Sequence, residues 1–177
     1  MARVTNKFII GSSTSGQVLT STGTSTPPTW QNPTFTAPNS EVFITGGNGY
    51  GSTNTKIRRF VNTVVSSGSD ITYADSATNG GSFTINTTGI YAISYNDGAF
   101  TTESTLGVSL NSTQLTTDII SITNADRVTN VVDYLNRYSF CGSTLHLISG
   151  DVIRAHTDGL PDRTGDSEVA FRITRIA

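Results

Sequence analysis

The chain is patterned in twos. "SFTINTTGIYAISYNDG" places Phe83 and Ile85 on one face of an extended backbone and, after a break at Thr88-Gly89, Tyr91, Ile93 and Tyr95 on one face again. "LGVSLNSTQL" alternates Leu106, Val108 and Leu110 before turning at Asn111-Ser112. "STLHLISGDVIRAHTDG" reads as a strand through Leu145 and Leu147, a Ser149-Gly150-Asp151 turn, and a return strand from Val152 to His156. "EVAFRITRIA" closes the chain with Val169, Phe171 and Ile173 on one side. Successive side chains of a strand point to opposite faces, so this spacing suits half-buried strands and leaves no continuous apolar stripe for a helix. Turn residues recur between the runs, as in sandwiches and jelly rolls. The pattern predicts an all-β, antiparallel jelly-roll sandwich.

One segment breaks the rhythm. Residues 116–140 ("TTDIISITNADRVTNVVDYLNRYSF") carry Ile119, Ile120, Ile122, Val128, Val131, Val132 and Leu135. Some of these spacings suit a short helix, but β-branched side chains lose χ1 freedom there. The segment is predicted to be two strands joined by "TNADR".

Composition narrows the functional classes. Only 14% of the 177 residues are charged, where about 25% is usual, and Ser and Thr fill the gap. Thr suits strands and Ser suits turns, so the surface should be polar and uncharged. A net charge of −2 offers no basic face for phosphates, and the adjacent pair Arg58-Arg59 reads as a solvated sheet edge. No apolar run is long enough to span a bilayer or to serve as a signal peptide, so neither membrane insertion nor export is expected. The single cysteine, Cys141, excludes an internal disulfide and reads as a buried thiol.

The first part of the chain has a different character. "GSSTSGQVLTSTGTSTPPTW" (residues 11–30) holds only Val18 and Leu19 as aliphatic groups before Trp30, and four prolines, Pro27, Pro28, Pro33 and Pro38, lie close on either side of that Trp. Proline fixes φ and bars helix, so residues 1–45 are expected to form an extended attachment arm ahead of a head domain over 46–177. Val18, Leu19 and Trp30 are its candidate anchors.

Catalytic chemistry finds little footing. Cys141, His146 and His156 are near in sequence, yet His146 alternates with Leu145 and Leu147 and so faces away from them, and no motif supplies an orienting carboxylate. Asp158, Asp162 and Asp166, with Glu168, share one loop and form a weak calcium candidate; the spacing is not that of an EF-hand, and a solvated turn is the competing reading. Asn86 and Asn111 match the glycosylation pattern, which a Thr-rich chain produces by chance. No enzyme activity, cofactor or nucleic-acid partner is expected.

"TTGIYAISYN" (87–96), "GVSLNSTQL" (107–115), "LHLISGDVI" (145–153) and "FRITRI" (171–176) fall in the order of, and resemble, the trimeric jelly-roll heads of complement-type and tumour-necrosis-factor-like proteins, over about residues 55–177. "SGQVLTSTGTSTPPTWQ" is similar to a linker of bacteriophage tail-fibre and related virion proteins. No collagen repeat precedes the head, and no heptads build a stalk.

The resemblance implies a homotrimer in which one side of each jelly roll is buried along a threefold axis. Tyr91, Tyr95, Phe100, Tyr134 and Tyr138 are candidates for that interface, each being equally suited to burial within one sandwich. It further implies a non-enzymatic protein of the virion surface, made in the host bacterial cytoplasm and held by its arm to a major capsid protein or to tail or baseplate proteins. Capsid decoration or a head fibre is the first expectation. A tail-fibre or baseplate knob recognising a host-surface glycan or protein is the alternative, and a secreted carbohydrate-binding module a more distant one.

Overall fold

The structure is a computed structural model and describes residues 14–21, 25, 27–32, 40–134, 137–165 and 168–177. The chain divides into two units, Met1–Thr36 and Ala37–Ala177. In the first unit, strand β1 (Val18–Thr20) pairs antiparallel with β2 (Thr29–Gln31), setting Leu19 opposite Trp30. The described part of the arm is therefore a small hairpin and not the single extended run expected, because Thr and Val at Val18–Thr20 find a ladder partner just beyond Pro27-Pro28.

The second unit is a two-layer β-sandwich. Its strands are β3 (Glu41–Tyr50), β4 (Arg58–Ser67), β5 (Ile71–Ala74), β6 (Ser82–Ile85), β7 (Gly89–Asp97), β8 (Ser104–Leu110), β9 (Arg127–Asp133), β10 (Ser139–Leu147), β11 (Val152–Thr157) and β12 (Ala170–Arg175). One sheet has the order β10-β7-β12-β3-β4 and the other β5-β6-β11-β8-β9, with every pair antiparallel. The head thus begins at Glu41, since Glu41–Thr45 pair with β12; the arm boundary expected at residue 45 falls earlier, between Thr36 and Ala37.

From β6 onward, apart from the β8–β9 pair, each connection carries the chain across to the opposite sheet. The run read as a hairpin around Gly150 accordingly joins β10 of the first sheet to β11 of the second. Gly150 adopts φ +98° with open space around it, a conformation that suits glycine. Asn111 ends β8 at φ 52°, and its side chain clasps the same corner by donating to Asp151 Oδ1 (2.7 Å) and accepting from Val152 N–H (2.8 Å).

The alternation read from sequence fills the core. Tyr91, Ile93 and Tyr95 of β7, Phe171 and Ile173 of β12, and Val42 and Ile44 of β3 meet Phe83, Ile85, Leu106, Val108, Ile153 and Ala155 of the other sheet. Phe83 stacks on Phe171 at 4.4 Å between ring centroids, and Tyr95 and Phe60 close round Phe171. Such aromatic contacts join the layers by large apolar areas with defined ring geometry.

Residues 116–126 are not the expected strand. They form two 3-10 turns, Ile119–Ser121 and Asn124–Asp126, ahead of β9. The physical reason lies on β8, whose six residues from Ser104 to Ser109 are buried on both faces. Its outward positions are small, with Thr105, Gly107 and Ser109, and Ile119 packs so closely over Gly107 that a Cβ there would collide with it. Ile119 and Ile122 therefore serve as plugs for a cover on the second sheet.

Candidate subunit interface

The five aromatic candidates separate cleanly. Tyr91 and Tyr95 lie wholly inside the core of a single chain, so the expectation that they face a neighbour is corrected: both share parity with Ile93, which points inward. Tyr91 donates its hydroxyl to Thr87 O (2.6 Å) and Tyr95 to Asp97 Oδ2 (2.8 Å). Phe100, Tyr134 and Tyr138 are on the surface, at 47%, 64% and 39% exposure.

Sequence reasoning missed other members of this surface. Phe140 is 64% exposed on β10 and Val132 is open to solvent on β9, whereas Ile90, also exposed, lies at the far end of the β7–β10 pair, opposite His146. The signal was present: Cys141 points inward, so its neighbour Phe140 must point outward. On the same outer face of the first sheet, Arg172 stacks on Phe43 (4.3 Å) and pairs with Glu41 (3.3 Å).

Phe100 and Tyr138 are held in place by Arg163, a residue the sequence did not single out. Its guanidinium lies 3.7 Å from the Phe100 ring centroid and 4.4 Å from that of Tyr138, and it donates to the Tyr138 hydroxyl at 2.9 Å. Three loops, after β7, β9 and β11, are locked together by this one stacked cation.

The remaining candidates are structural. Cys141 is buried in the first sheet, and burial pushes its thiol up to about 12, far from a reactive thiolate. His146 lies on the opposite face of the same strand, opposite Ile90, and His156 belongs to the other sheet, so the three never form a site. Asp158 accepts from the backbone N–H groups of Thr105 (2.6 Å) and Leu160 (3.0 Å), with its carboxyl raised by burial. Asp162 accepts from Phe100 N–H at 2.8 Å. Both carboxylates tie loops, no group of three metal-ligating side chains occurs among the described residues, and Asp166 lies outside those residues.

The pair read as a solvated edge is divided as well. Arg59 pairs with Asp75 near the surface (2.7 Å), whereas Arg58 is buried against Asp97. Asn86 donates to Ser69 O and Thr72 Oγ1, a turn clasp within the fold. Of the arm anchors, Val18 and Leu19 are exposed and Trp30 is half-buried.

Two five-stranded antiparallel sheets in this order, with only two 3-10 turns among the described residues, match a tumour-necrosis-factor-like jelly roll. No protein-family model matches the chain, and no curated protein matches it. Among solved structures it is similar to the crystal structure of murine APRIL at pH 8.0, with a TM-score of 0.56 and 12% identity over 78% of this chain and 99% of that one. Murine APRIL at pH 5.0 gives 0.55 and 12%, and at pH 8.5 gives 0.52 and 13%, with the same coverage. At this identity the likeness is one of fold.

Proposed function

We propose that the chain is a non-enzymatic structural protein of a bacteriophage particle, a homotrimeric jelly-roll head fixed to the virion by its leading arm as a capsid decoration or head fibre. The observation that carries the assembly is the set of exposed apolar side chains along β9, β10 and the adjoining loops: Val132, Tyr134, Tyr138 and Phe140, with Phe100 beside Tyr138 on Arg163. A lone subunit leaves these side chains in water, and large apolar side chains exposed together along one edge suit an interaction site. β9 and β10, the edge strands of the two sheets, carry Val132 and Phe140, so a closed ring would also cover two open ladders. The fold supports this reading, because tumour-necrosis-factor-like proteins assemble as trimers. The virion role is supported by the resemblance of "SGQVLTSTGTSTPPTWQ" to phage fibre linkers and by the scarcity of charge.

The assembly is tested by sedimentation equilibrium of the purified chain, where a monomeric mass removes the reading. Location is tested by gel densitometry of purified virions. A copy number that tracks the shell lattice marks a decoration protein; one matching the tail fittings marks the receptor-binding knob. In the second case the purified trimer should compete with whole phage for adsorption.

A further inference from the structure

The cover on the second sheet is fastened over a buried histidine. Residues 111–126 lie over β8 and are fastened at defined points. His156 of β11 faces outward beneath them and is fully buried. Its Nε2 lies 2.8 Å from Thr117 O and must carry the proton, since a carbonyl only accepts; its Nδ1, 3.1 Å from Ser109 Oγ, then accepts the serine hydroxyl. Lys56 holds the cover twice, by its N–H to Leu115 O (3.3 Å) and by its ammonium to Asp118 (2.9 Å). Arg127 donates to Ile120 O at 2.6 Å, and Gln114 accepts from Thr123. Ile119 and Ile122 supply the apolar contact.

This arrangement favours a neutral imidazole. A second ring proton would oblige the Ser109 hydroxyl to turn and accept, and would place a full charge in a buried site with no carboxylate bonded to the ring. The charged groups around the ring are Lys56 from the segment before β4, Arg154 from its own strand and Asp118 from the cover, so two cations face it against one carboxylate. Neither ring nitrogen is bonded to a carboxylate.

We propose that residues 111–126 form an acid-released flap, held shut by neutral His156 and opened when the imidazole is protonated. Opening lets the ring hydrate and uncovers Ile119, Ile122 and the outer face of β8. The direction of titration agrees: burial, aided by Arg154 and Lys56, holds His156 below the ordinary histidine value, outweighing Thr117 O and Asp118. A group that is neutral in the closed form and ordinary in the open form favours opening as pH falls through about 6.5.

The test is hydrogen exchange, read as protection factors corrected for intrinsic rates, on the full-length protein. The Lys56 amide, whose N–H is held by Leu115 O of the flap, should lose protection by up to about 25-fold between about pH 7 and about pH 5, the limit for a ring that titrates at about 6.5 only when open. Amides of β7 and β12 should not change. In His156→Gln, which keeps a neutral donor for Thr117 O, the flap should show no such pH dependence. Persistence of the loss in that variant assigns it to the carboxylates and overturns the proposal. Should the variant not fold, NMR titration of the His156 ring in the native protein decides: a midpoint at or above the ordinary histidine value overturns the flap, and one below it supports it.

Discussion

Arg58 Nε lies 2.8 Å from Asp97 Oδ2, and both side chains are sealed inside the head. This ion pair joins β4 to the end of β7 past the two strands, β12 and β3, that lie between them in the same sheet. Burial raises the Asp97 carboxyl, while Arg58, Gly98 N–H and the Tyr95 hydroxyl pull it back toward the charged form. Arg58 also donates to Arg163 O, so the pair is coupled to the loop that holds Phe100 and Tyr138. A bonded buried pair is costly to break from one side, because the survivor keeps its charge without a partner.

Asp97→Asn should therefore lower the unfolding free energy by about 3–5 kcal/mol. Arg58→Met should cost a similar amount. The double variant Arg58→Met/Asp97→Leu should recover a large share, since it removes both charges. Urea unfolding midpoints of the four proteins test this; full additivity of the two single losses would exclude the coupling.

Gly47 faces the same network. A Cβ at that position would collide with Arg163 O and the Arg58 guanidinium. Gly47→Ala is expected to destabilise the head by about 1–3 kcal/mol, the range for overpacking a filled site. Thermal unfolding measures it, and a neutral result would mean that the loop around Arg163 yields freely.

Much of this architecture is legible in the sequence, and the exceptions have specific causes. The inward sets on β7, β8, β11 and β12 follow directly from alternation, because one face of each strand meets the opposite sheet. Alternation does not say whether an inward face meets the same chain or a neighbour, which is why Tyr91 and Tyr95 stood beside Phe100, Tyr134 and Tyr138. The parity of Cys141 and Phe140 would have separated them. Residues 116–122 misled for another reason: Ile119 and Ile122 cover a sheet, and a cover needs apolar plugs without needing a ladder. Arg58 looked like half of a charged edge because its partner is 39 residues away in sequence.

The exposed aromatics make the assembly testable without touching the fold. Phe140→Glu and Tyr134→Glu should each shift the purified protein from trimer toward monomer in light scattering, with unfolding free energy per subunit little changed. Tyr95→Phe is the contrasting variant. It removes the hydroxyl donated to Asp97, costs about 1.5–3 kcal/mol, and should leave the trimer intact. Monomers from Tyr95→Phe alongside trimers from Phe140→Glu would reverse the assignment.

The C-terminal strand carries an acid-sensitive clamp. Asp70 is held below the usual carboxylate range by the hydroxyls of Thr87 and Ser40, outweighing its burial, with further help from Arg175 at 3.1 Å. A carboxyl with a depressed value in the folded state contributes stability above about pH 4 and loses it as pH falls through the folded value. Asp70→Asn should flatten that part of the stability curve below about pH 4 and leave the neutral-to-pH-5 region, where His156 acts, unchanged. Denaturation curves of both proteins across this window test it; identical acid slopes would remove Asp70 from the account.

The arm can be separated from the head at the observed division. The head's ladder starts at Glu41, with Ser40 just ahead of it bonded to Asp70 and to Arg175 N–H, and β3 is paired on both sides, by β12 and β4. Removing residues 1–36 should therefore leave a soluble protein with the unfolding midpoint of the parent and the same trimeric mass. A two-stranded hairpin is marginal alone in water, and Val18 and Leu19 remain exposed on it, so its stable state is expected on a larger body. The truncated trimer should accordingly fail to enter particles when supplied in place of the full chain, and Leu19→Asp should reduce incorporation in the same assay. Full incorporation of the truncated protein would assign attachment to the head itself and leave the arm without the role proposed for it.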